Sequence, residues 1–449
     1  MLRALRRKLS ETHKRGAVLH DAPPWRRWGS RFARPSLACL TLAGMPVRHL
    51  DETKHFKFIG TTGTGKSTAI RELLAGALAR GDRAIIADPD GGYTARFFNR
   101  YRADVVLNPF ESGSSKWDLF GEIADLYDVE QLAGGLIPSS PDAAASEWRG
   151  YARTFLSAVV RRCRTYRHPD CAELWRLLAI ASCDELRAVV ADSPAQPFLD
   201  PENARMFGSI RAVALSAITA LEHIQAQRAR LFSVRAWVRS SSQAVLFIPY
   251  RATQIAALRS MIATWMRMAI FETMCGREDG DQRLWFVVDE LDALGAIDGL
   301  KDALARLRKF GGRCVLGFQS LAQVTGTYGV HDAQTLVENC GTTLILRCSS
   351  SENGGTSQFA SRLIGDREVV RRQVSRGSDR AGFAGRSARR STNSSEQHIT
   401  EAAVMPSQIE QLPDLCGYLK TASSRAWQRV RLPAAEGTER RRVTGFFTE

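Results

Sequence analysis

Eight consecutive residues near the start of the chain have the types and spacing needed to bind a phosphate chain. They fit the P-loop pattern G-x-x-x-x-G-K-[ST] from Gly60 to Ser67. Glycines let backbone N–H groups turn toward the phosphates, and the following helix adds its positive N-terminal dipole. Lys66 is predicted to reach the β- and γ-phosphates of ATP, and Ser67 to bind Mg²⁺. The residues expected to contact the nucleotide are Gly60, Thr61, Thr62, Gly63, Thr64, Gly65, Lys66, Ser67 and Thr68.

A second stretch supplies two acids at the end of an apolar run. Leu284 to Val288 is followed directly by Asp289 and Glu290. A fully apolar run suits a central parallel strand that is buried on both faces. This is the Walker B pattern, in which Asp289 would hold Mg²⁺ and Glu290 would activate water as the general base. A surface turn is the alternative, but two acids ending a buried strand would be costly without a metal partner.

A glutamine follows the next predicted strand. Cys314 to Phe318 is apolar and is followed by Gln319. We expect this strand to lie beside the Walker B strand, so that Gln319 reaches the same edge of the sheet. A glutamine there can orient water or sense the γ-phosphate.

Two arginines are candidates for a finger that completes a neighbouring subunit's site. Arg308 lies in a predicted helix from Leu300 to Phe310, at the edge of its apolar face. We expect this helix to hold Arg308 near the nucleotide edge of the sheet. The alternative is an arginine that stabilises the C-terminal dipole of the helix. Arg347, which follows a predicted strand, is a second candidate.

The elements around these residues predict an α/β fold with a mainly parallel central sheet. The apolar run Phe56 to Ile59 precedes the P-loop, and residues 68–79 have the apolar spacing of a helix. Another apolar run ends at Asp88, and we place its strand beside the P-loop strand. Asp88 or Asp90 either faces the nucleotide or caps the segment from Thr94 to Asn99, and we favour the cap.

The pattern changes in the middle of the chain. From residue 123 to 232 helical periodicity replaces the strand pattern, which predicts an all-α domain inserted into the α/β domain. The predicted organisation is a basic N-terminal segment (1–35), the first part of the nucleotide-binding domain (36–122), the all-α insertion (123–232) and the second part (233–449). Residues 371–397 are rich in Arg, Ser and Gly, and we expect a mobile basic loop there.

Composition limits the possible partners and surroundings. The 449 residues carry a net charge of +15, which suggests nucleic acid or an acidic membrane surface as a partner. Nine cysteines are scattered without a C-x-x-C pair, and we expect them to be reduced core residues of a cytosolic protein. We find no apolar run of the 18 or more residues that a membrane span needs.

Taken together, these stretches resemble the type IV coupling proteins of bacterial conjugation, the TraD/TrwB group, within the FtsK/HerA-like ATPases. The similar stretches are His55 to Ser67, Ala87 to Phe98, Trp285 to Gln323 and Leu412 to Leu419. The resemblance extends over residues 36–432. It implies a RecA-like ATPase core, and it places the helical insertion on the ring face away from the membrane. It also favours Arg308 over Arg347 as the finger acting in trans, and Gln319 as the γ-phosphate sensor.

The function implied by the resemblance is that of an ATP-driven DNA translocase. Such a protein forms a ring, expected to be a hexamer, and uses ATP and Mg²⁺. It binds single- or double-stranded DNA and delivers relaxase-bound DNA from the relaxosome to the channel components of a type IV secretion system. Family members usually carry N-terminal transmembrane helices, which we do not find here, so a naturally soluble relative and a truncated form both stay open. The expected location is the cytoplasm, with a peripheral position at the inner membrane as an alternative.

Two rival functions remain. One is a soluble FtsK/HerA-like translocase that acts in element maintenance or DNA processing. The other is an adaptor that binds nucleotide and DNA without hydrolysis. The presence of Glu290, Gln319 and Arg308 argues against the adaptor.

Overall fold

A computed structural model describes residues 11–21, 39–140, 142–278, 282–352, 354–378 and 390–433. Its strands are β1 Glu11–Gly16, β2 Leu19–Asp21, β3 Leu40–Leu42, β4 Met45–Val47, β5 Phe56–Ile59, β6 Arg83–Pro89, β7 Val105–Val106, β8 Lys116–Trp117, β9 Leu231–Phe232, β10 Leu246–Tyr250, β11 Leu284–Val288, β12 Gly312–Phe318, β13 Thr342–Ile345, β14 Asp366–Ser378, β15 Arg390–Ala402, β16 Cys416–Lys420 and β17 Trp427–Arg431.

The α-helices are α1 His49–Glu52, α2 Lys66–Ala79, α3 Thr94–Phe97, α4 Leu126–Leu136, α5 Ala143–Arg164, α6 Cys171–Ala179, α7 Cys183–Val189, α8 Ala204–Ile218, α9 Leu221–Ala226, α10 Val234–Arg239, α11 Ile255–Met274, α12 Leu300–Arg306, α13 Leu321–Tyr328, α14 Val330–Glu338, α15 Gly355–Ile364 and α16 Pro406–Glu410. Short 3₁₀ turns lie at Arg100–Arg102, Phe120–Glu122, Gln196–Leu199, Pro201–Asn203, Asp292–Leu294 and Leu307–Phe310.

A ten-stranded sheet forms the centre of the fold. Its order is β2-β17-β16-β13-β5-β12-β11-β6-β10-β7. The strands from β13 to β7 in this order pair in parallel, and β16 and β17 continue the sheet in antiparallel pairing. The central strands are buried on both faces, as continuous apolar runs predict. The predicted α/β class with a mainly parallel sheet is confirmed.

The strand order corrects one prediction and supports another. β12 lies between the P-loop strand β5 and the Walker B strand β11, so the strand before Gln319 is the expected neighbour of Walker B. β6, which carries Asp88, does not pair with β5 as we predicted; it pairs with β11 and β10. Both β12 and β11 enter the sheet between β5 and β6, although they follow later in the chain.

Helices occupy most of the middle of the chain. In the described part of residues 123–230, helices α4 to α9 share an apolar core with α11 from the sheet side. The last two residues of the predicted helical segment form β9, which pairs in parallel with β8. The chain therefore leaves and re-enters this helical part at one point, where β8 and β9 meet.

The predicted basic loop is largely a hairpin. β14 and β15 pair antiparallel from Asp366 opposite Ala402 to Ser378 opposite Arg390, and β1 pairs with the outer edge of β14. The expectation of a loop is therefore wrong for residues 371–378 and 390–397, because their backbones pair as antiparallel strands. Residues 379–389 lie outside the described part of the chain.

Two further expectations concern cysteines and membrane spans. Five cysteines are buried, but Cys39, Cys183 and Cys275 are exposed, so only part of the set lies in the core. Within the residues that the structure describes, we find no helix that is both long enough and apolar enough to cross a bilayer.

Candidate functional site

The P-loop joins the carboxyl end of β5 to the first residue of α2. Gly63 and Gly65 have φ values of 78° and 116°, which favour glycine. A Cβ at Gly60 would lie 2.8 Å from the Leu346 Cβ, so the third glycine is needed for close packing. Lys66 is buried, and its Nζ donates to the carbonyl oxygens of Gly60 at 2.6 Å and Thr61 at 3.3 Å. The lysine is thus held over the loop that is predicted to bind phosphate.

The Walker B aspartate lies directly beside the P-loop. Asp289 is 3% exposed, and its Oδ2 accepts hydrogen bonds from Ser67 Oγ at 2.5 Å and from Tyr93 Oη at 2.9 Å. Its Oδ1 is buried and accepts no hydrogen bond from any described residue. A buried carboxylate oxygen without a partner is costly unless a cation binds it. Together, Ser67 and Asp289 therefore fit the predicted Mg²⁺ site.

A chain of hydrogen bonds links the predicted general base to the P-loop. Gln319 Nε2 donates to Glu290 Oε1 at 3.1 Å, and Thr62 Oγ1 donates to Gln319 Oε1 at 2.9 Å. Gln319 thus bridges the ends of β5 and β11 from its position after β12. A glutamine in this place contacts both the base and the loop that would hold the phosphates.

Burial and neighbouring charges shift the pKa values of Lys66 and Glu290. Burial lowers the pKa of Lys66, although the carboxylates of Asp289 and Glu290 oppose this change. Burial also raises the pKa of Glu290, and the charges of Asp289 and Asp292 add to the increase. A carboxylate with a raised pKa is a stronger base, which suits the role predicted for Glu290.

These groups share one pocket of about 180 Å³. It is lined by Thr62, Gly63, Gly65, Lys66, Ser67, Thr68, Asp289, Glu290, Gln319 and Leu415. The structure therefore brings together most of the predicted nucleotide-binding residues with Asp289, Glu290 and Gln319.

Leu415 comes to the pocket from the C-terminal part of the chain. Its backbone has a φ of 62°, its N–H donates to the Thr64 carbonyl at 2.9 Å, and it accepts from Leu432 N at 2.7 Å. A Cβ on Gly65 would lie 2.9 Å from Leu415 Cδ2, so the leucine packs directly on the loop. The stretch from Leu412 was recognised in the sequence, but no motif indicated that it would form a wall of the nucleotide pocket.

Tyr93 and Asp88 take roles that the sequence only partly indicated. Asp88 accepts hydrogen bonds from the backbone N–H groups of Tyr93 and Thr94, so it is the cap that we favoured. Burial raises the pKa of Asp88 to about 6. Burial and the Asp289 carboxylate raise the pKa of Tyr93 well above its ordinary value, so its hydroxyl stays protonated and donates. Tyr93 lies in the similar stretch Ala87 to Phe98, but the sequence analysis predicted no role for it.

Arg308 lies at the opposite edge of the sheet, which corrects our placement. It belongs to the 3₁₀ turn Leu307–Phe310, which leads into the first residue of β12. Burial and the charges of Arg313 and Arg308 lower the pKa of His55, the residue just before β5. Because the pocket lies at the other ends of these strands, a seven-residue strand of about 23 Å separates the two edges.

Arg347 lies on the nucleotide side. Its carbonyl accepts from Thr61 N at 2.8 Å, and its guanidinium pairs with Asp414 at 2.6 Å. Within this chain Arg347 therefore supports its own P-loop rather than extending freely from the surface.

A comparison with protein families decides the identity. The family model described as the type IV secretion-system coupling protein DNA-binding domain matches residues 39–433. The chain belongs to this family. Its curated relative, the coupling protein TraD of Escherichia coli (strain K12), is 28% identical over 386 residues, which cover 85% of this chain and 52% of TraD. The chain thus spans about half the length of that relative.

Solved structures of coupling proteins are similar over nearly the whole chain. The conjugative coupling protein TrwBdeltaN70 in its unbound monoclinic form is 30% identical with a TM-score of 0.82, covering 94% of this chain and 93% of that chain. TrwB in complex with ADP and Mg²⁺ is 30% identical with a TM-score of 0.80, covering 94% of each chain. TrwB with the non-hydrolysable ATP analogue ADPNP gives a TM-score of 0.79 at the same identity and coverage.

Proposed function

We propose that this coupling protein is an ATP-driven DNA translocase that works as a ring, expected to be a hexamer. The observation that carries this proposal is the meeting of Lys66, Glu290 and Gln319 in one pocket at the carboxyl ends of β5, β11 and β12. A pocket built only to bind nucleotide does not need a base with a raised pKa held by a glutamine. The nucleotide complexes of TrwB support ATP and Mg²⁺ as the ligands.

The P-loop residues would bind and orient the triphosphate. Lys66 would leave the carbonyl oxygens of Gly60 and Thr61 and turn toward the β- and γ-phosphates. Ser67 and Asp289 would hold Mg²⁺, which when bound neutralises charge on the phosphate oxygens. Thr68, which also lines the pocket, would add contacts at the start of α2.

Glu290 and Gln319 would act on the attacking water. Glu290 would take a proton from that water at its carboxylate, and its raised pKa favours this transfer. Gln319 would keep Glu290 oriented and, through Thr62, would respond to the γ-phosphate. The hydrogen-bond chain therefore connects occupancy of the P-loop with the position of the base.

The ring is needed to complete the site. Among the described residues that line the pocket there is no arginine, and a finger stabilising the developing charge has to come from elsewhere. Arg308 is exposed at the opposite edge of the sheet, so it can act only on a neighbouring subunit. Arg347 is the alternative finger, although its ion pair with Asp414 holds it at its own P-loop.

The proposed substrate of the motor is DNA. The net charge of +15 favours a polyanion in the ring, and the family model is that of a DNA-binding domain. We propose that the chain acts in the cytoplasm, at the inner membrane, and delivers relaxase-bound DNA to a type IV secretion channel.

The proposal is tested by DNA-stimulated ATP hydrolysis. Wild-type protein should hydrolyse ATP faster when single- or double-stranded DNA is added, and Lys66→Ala should abolish turnover because it removes the phosphate-binding ammonium. If neither kind of DNA gave turnover under conditions where the protein forms rings, the motor function would be wrong. The adaptor that binds nucleotide and DNA without hydrolysis would then be the better interpretation. Turnover without binding to a relaxase or to channel components would favour the translocase of DNA processing.

A mixing experiment tests the finger in trans. Lys66→Ala and Arg308→Ala should each be inactive alone, but their mixture should recover part of the activity. In a mixed ring, the intact P-loop of an Arg308→Ala subunit can meet the intact Arg308 of a Lys66→Ala subunit. The same mixture made with Arg347→Ala is the matched comparison. Recovery with Arg347→Ala but not with Arg308→Ala would exchange their roles.

A further inference from the structure

The turn between β6 and α3 brings a side chain into the site that belongs to no nucleotide-binding motif. Tyr93 is 1% exposed, and its hydroxyl donates to Asp289 Oδ2 at 2.9 Å. Ser67 Oγ donates to the same oxygen at 2.5 Å. The two donors come from different elements, the turn and the start of α2. The position of the Asp289 carboxylate therefore does not depend on the P-loop alone.

The backbone of the turn is fixed at the point where Tyr93 begins. The Asp88 carboxylate accepts from Tyr93 N at 2.9 Å, from Thr94 N at 2.6 Å and from Thr94 Oγ1 at 2.6 Å. Asp90 and Gly91 take φ values of 55° and 68°, so the chain reverses sharply between the cap and the tyrosine. A left-handed aspartate is uncommon, and the buried cap offsets the cost of this conformation.

The ring of Tyr93 is also held from the side of the P-loop helix. The Arg71 guanidinium, which belongs to α2, lies 5.3 Å from the ring centroid. A Cβ at Gly92 would lie 2.7 Å from an Arg71 terminal nitrogen, so the arginine lies directly against the backbone of the turn. The ring is thus fixed by its backbone, by Arg71 and by the hydrogen bond to Asp289.

We propose that Tyr93 is a positioning residue that orients Asp289 for Mg²⁺ binding. This inference rests on the proposed function, because it assumes that Asp289 binds the metal of a nucleotide complex. With Oδ2 held by two donors, rotation of the carboxylate is restricted and Oδ1 is left for the cation. Groups that hold a metal ligand in place typically change metal affinity or activity by about 10–100-fold when they are removed.

The chain contains a matched control for this idea. Tyr250 is also a buried tyrosine at a strand end, 4% exposed, at the last residue of β10. Its hydroxyl is buried but has no hydrogen-bond partner among the described residues. Changing either tyrosine to phenylalanine removes one buried hydroxyl, but only the change at Tyr93 removes a donor to Asp289.

The experiment measures nucleotide affinity rather than turnover alone. Binding of a fluorescent ADP analogue is titrated with and without Mg²⁺ for wild type, Tyr93→Phe and Tyr250→Phe, and the Mg²⁺ concentration giving half-maximal ATPase is measured in parallel. Tyr93→Phe should leave Mg²⁺-free affinity near the wild-type value, and should raise the Mg²⁺ concentration needed for half-maximal binding about tenfold. Tyr250→Phe should match the wild type in both titrations.

Three results would overturn the proposal: an unchanged Mg²⁺ requirement in Tyr93→Phe, an equal change in both variants, or a loss of affinity in Tyr93→Phe that is the same with and without Mg²⁺. The last result would show a general defect of the pocket. A wild-type protein that binds ADP with Mg²⁺ but does not hydrolyse ATP would remove the proposed motor while leaving this binding test intact.

Discussion

Charged side chains are buried at both edges of the central sheet, but the two edges differ in how these charges are paired with opposite charges. At the amino edge, Arg80 pairs with Glu52 and Asp82 at 2.6 Å each, and Arg313 donates to Glu52 at 3.1 Å. Trp285 Nε1 donates to Asp82 at 2.8 Å and completes the group. All four charged residues are nearly inaccessible to solvent.

At the carboxyl edge the charges are not balanced in this way. Asp289 Oδ1 has no partner among the described residues, and burial and nearby acids raise the pKa of Glu290. Lys66 contacts only carbonyl oxygens in its hydrogen bonds. Because unpaired buried charge is costly, it persists where a ligand supplies the missing partner. The group formed by Arg80, Glu52, Asp82 and Arg313 thus contains charges that stabilise the fold, whereas the pocket contains charges whose missing partners a bound nucleotide and Mg²⁺ would supply.

The strongest test of this difference is Glu290→Gln. It should lower ATP turnover by about 10²–10⁴-fold, because it removes the proposed general base. It should retain nucleotide binding and thermal stability, because it removes a carboxylate from a group of like charges. Single-turnover hydrolysis and thermal unfolding measure the two effects. If Glu290→Gln also lowered thermal stability strongly, the Glu290 carboxylate would stabilise the fold as the amino-edge charges do, and the proposed difference between the edges would be wrong.

At the amino edge, Glu52→Gln should lower the stability of the protein and leave nucleotide binding near the wild-type level. Removing one partner of a buried ion pair leaves Arg80 and Arg313 without their shared carboxylate, and this typically costs about 3–5 kcal/mol of stability. Chemical denaturation measures the loss. Nucleotide affinity below the unfolding transition should stay near wild type, and a selective loss of turnover in a stable Glu52→Gln protein would contradict the assignment.

The smallest and most gradual difference should appear on lowering the pH. The pKa of Glu290 is raised, so its basic form is lost as pH falls through a value above the ordinary 4.5, and turnover falls with it. The protonated form of Glu290 is the one favoured in the fold, so this loss does not destabilise the protein. Burial opposes ionisation of Glu52, but Arg80 and then Arg313 hold its pKa below 4.5. The stability that Glu52 contributes is present above 4.5 and is lost only as pH falls through the lower value.

Turnover should therefore decline while tryptophan fluorescence and circular dichroism still report a folded chain. Glu290→Gln is the control, because it has no acid to titrate at this position and its residual turnover should not show the same decline with pH. Simultaneous loss of activity and structure would mean that the acids of the two edges titrate together.

The sequence predicted those parts of the site whose structure is determined by residues adjacent in the chain. The spacing from Gly60 to Ser67 determines the loop, and an apolar run ending in Asp289 and Glu290 identifies a buried strand with acids at its end. These local patterns were enough to assemble most of the pocket. The α/β class followed from the same apolar runs.

Placements that depend on strand order or direction were not predictable in this way. Arg308 was placed at the nucleotide edge, but a helix that follows a parallel strand returns to the amino edge before the next strand begins. Asp88 was placed beside the P-loop strand because the strands follow one another in sequence, although β12 and β11 enter between them. Tyr93 contacts Asp289 where the neighbouring strands β6 and β11 end, but the two residues are far apart in the chain, and local periodicity carries no signal for such a contact.

Leu415 has a consequence for how the protein is made. The P-loop begins at Gly60, but Leu415 packs on Gly65 from far along the chain, and Leu432 N in turn donates to the Leu415 carbonyl at 2.7 Å. During synthesis, a nascent chain that ends before Leu415 has the complete phosphate-binding motif but not the wall that packs on it. The wall formed by Leu415 can join the pocket only after most of the described chain has been synthesised.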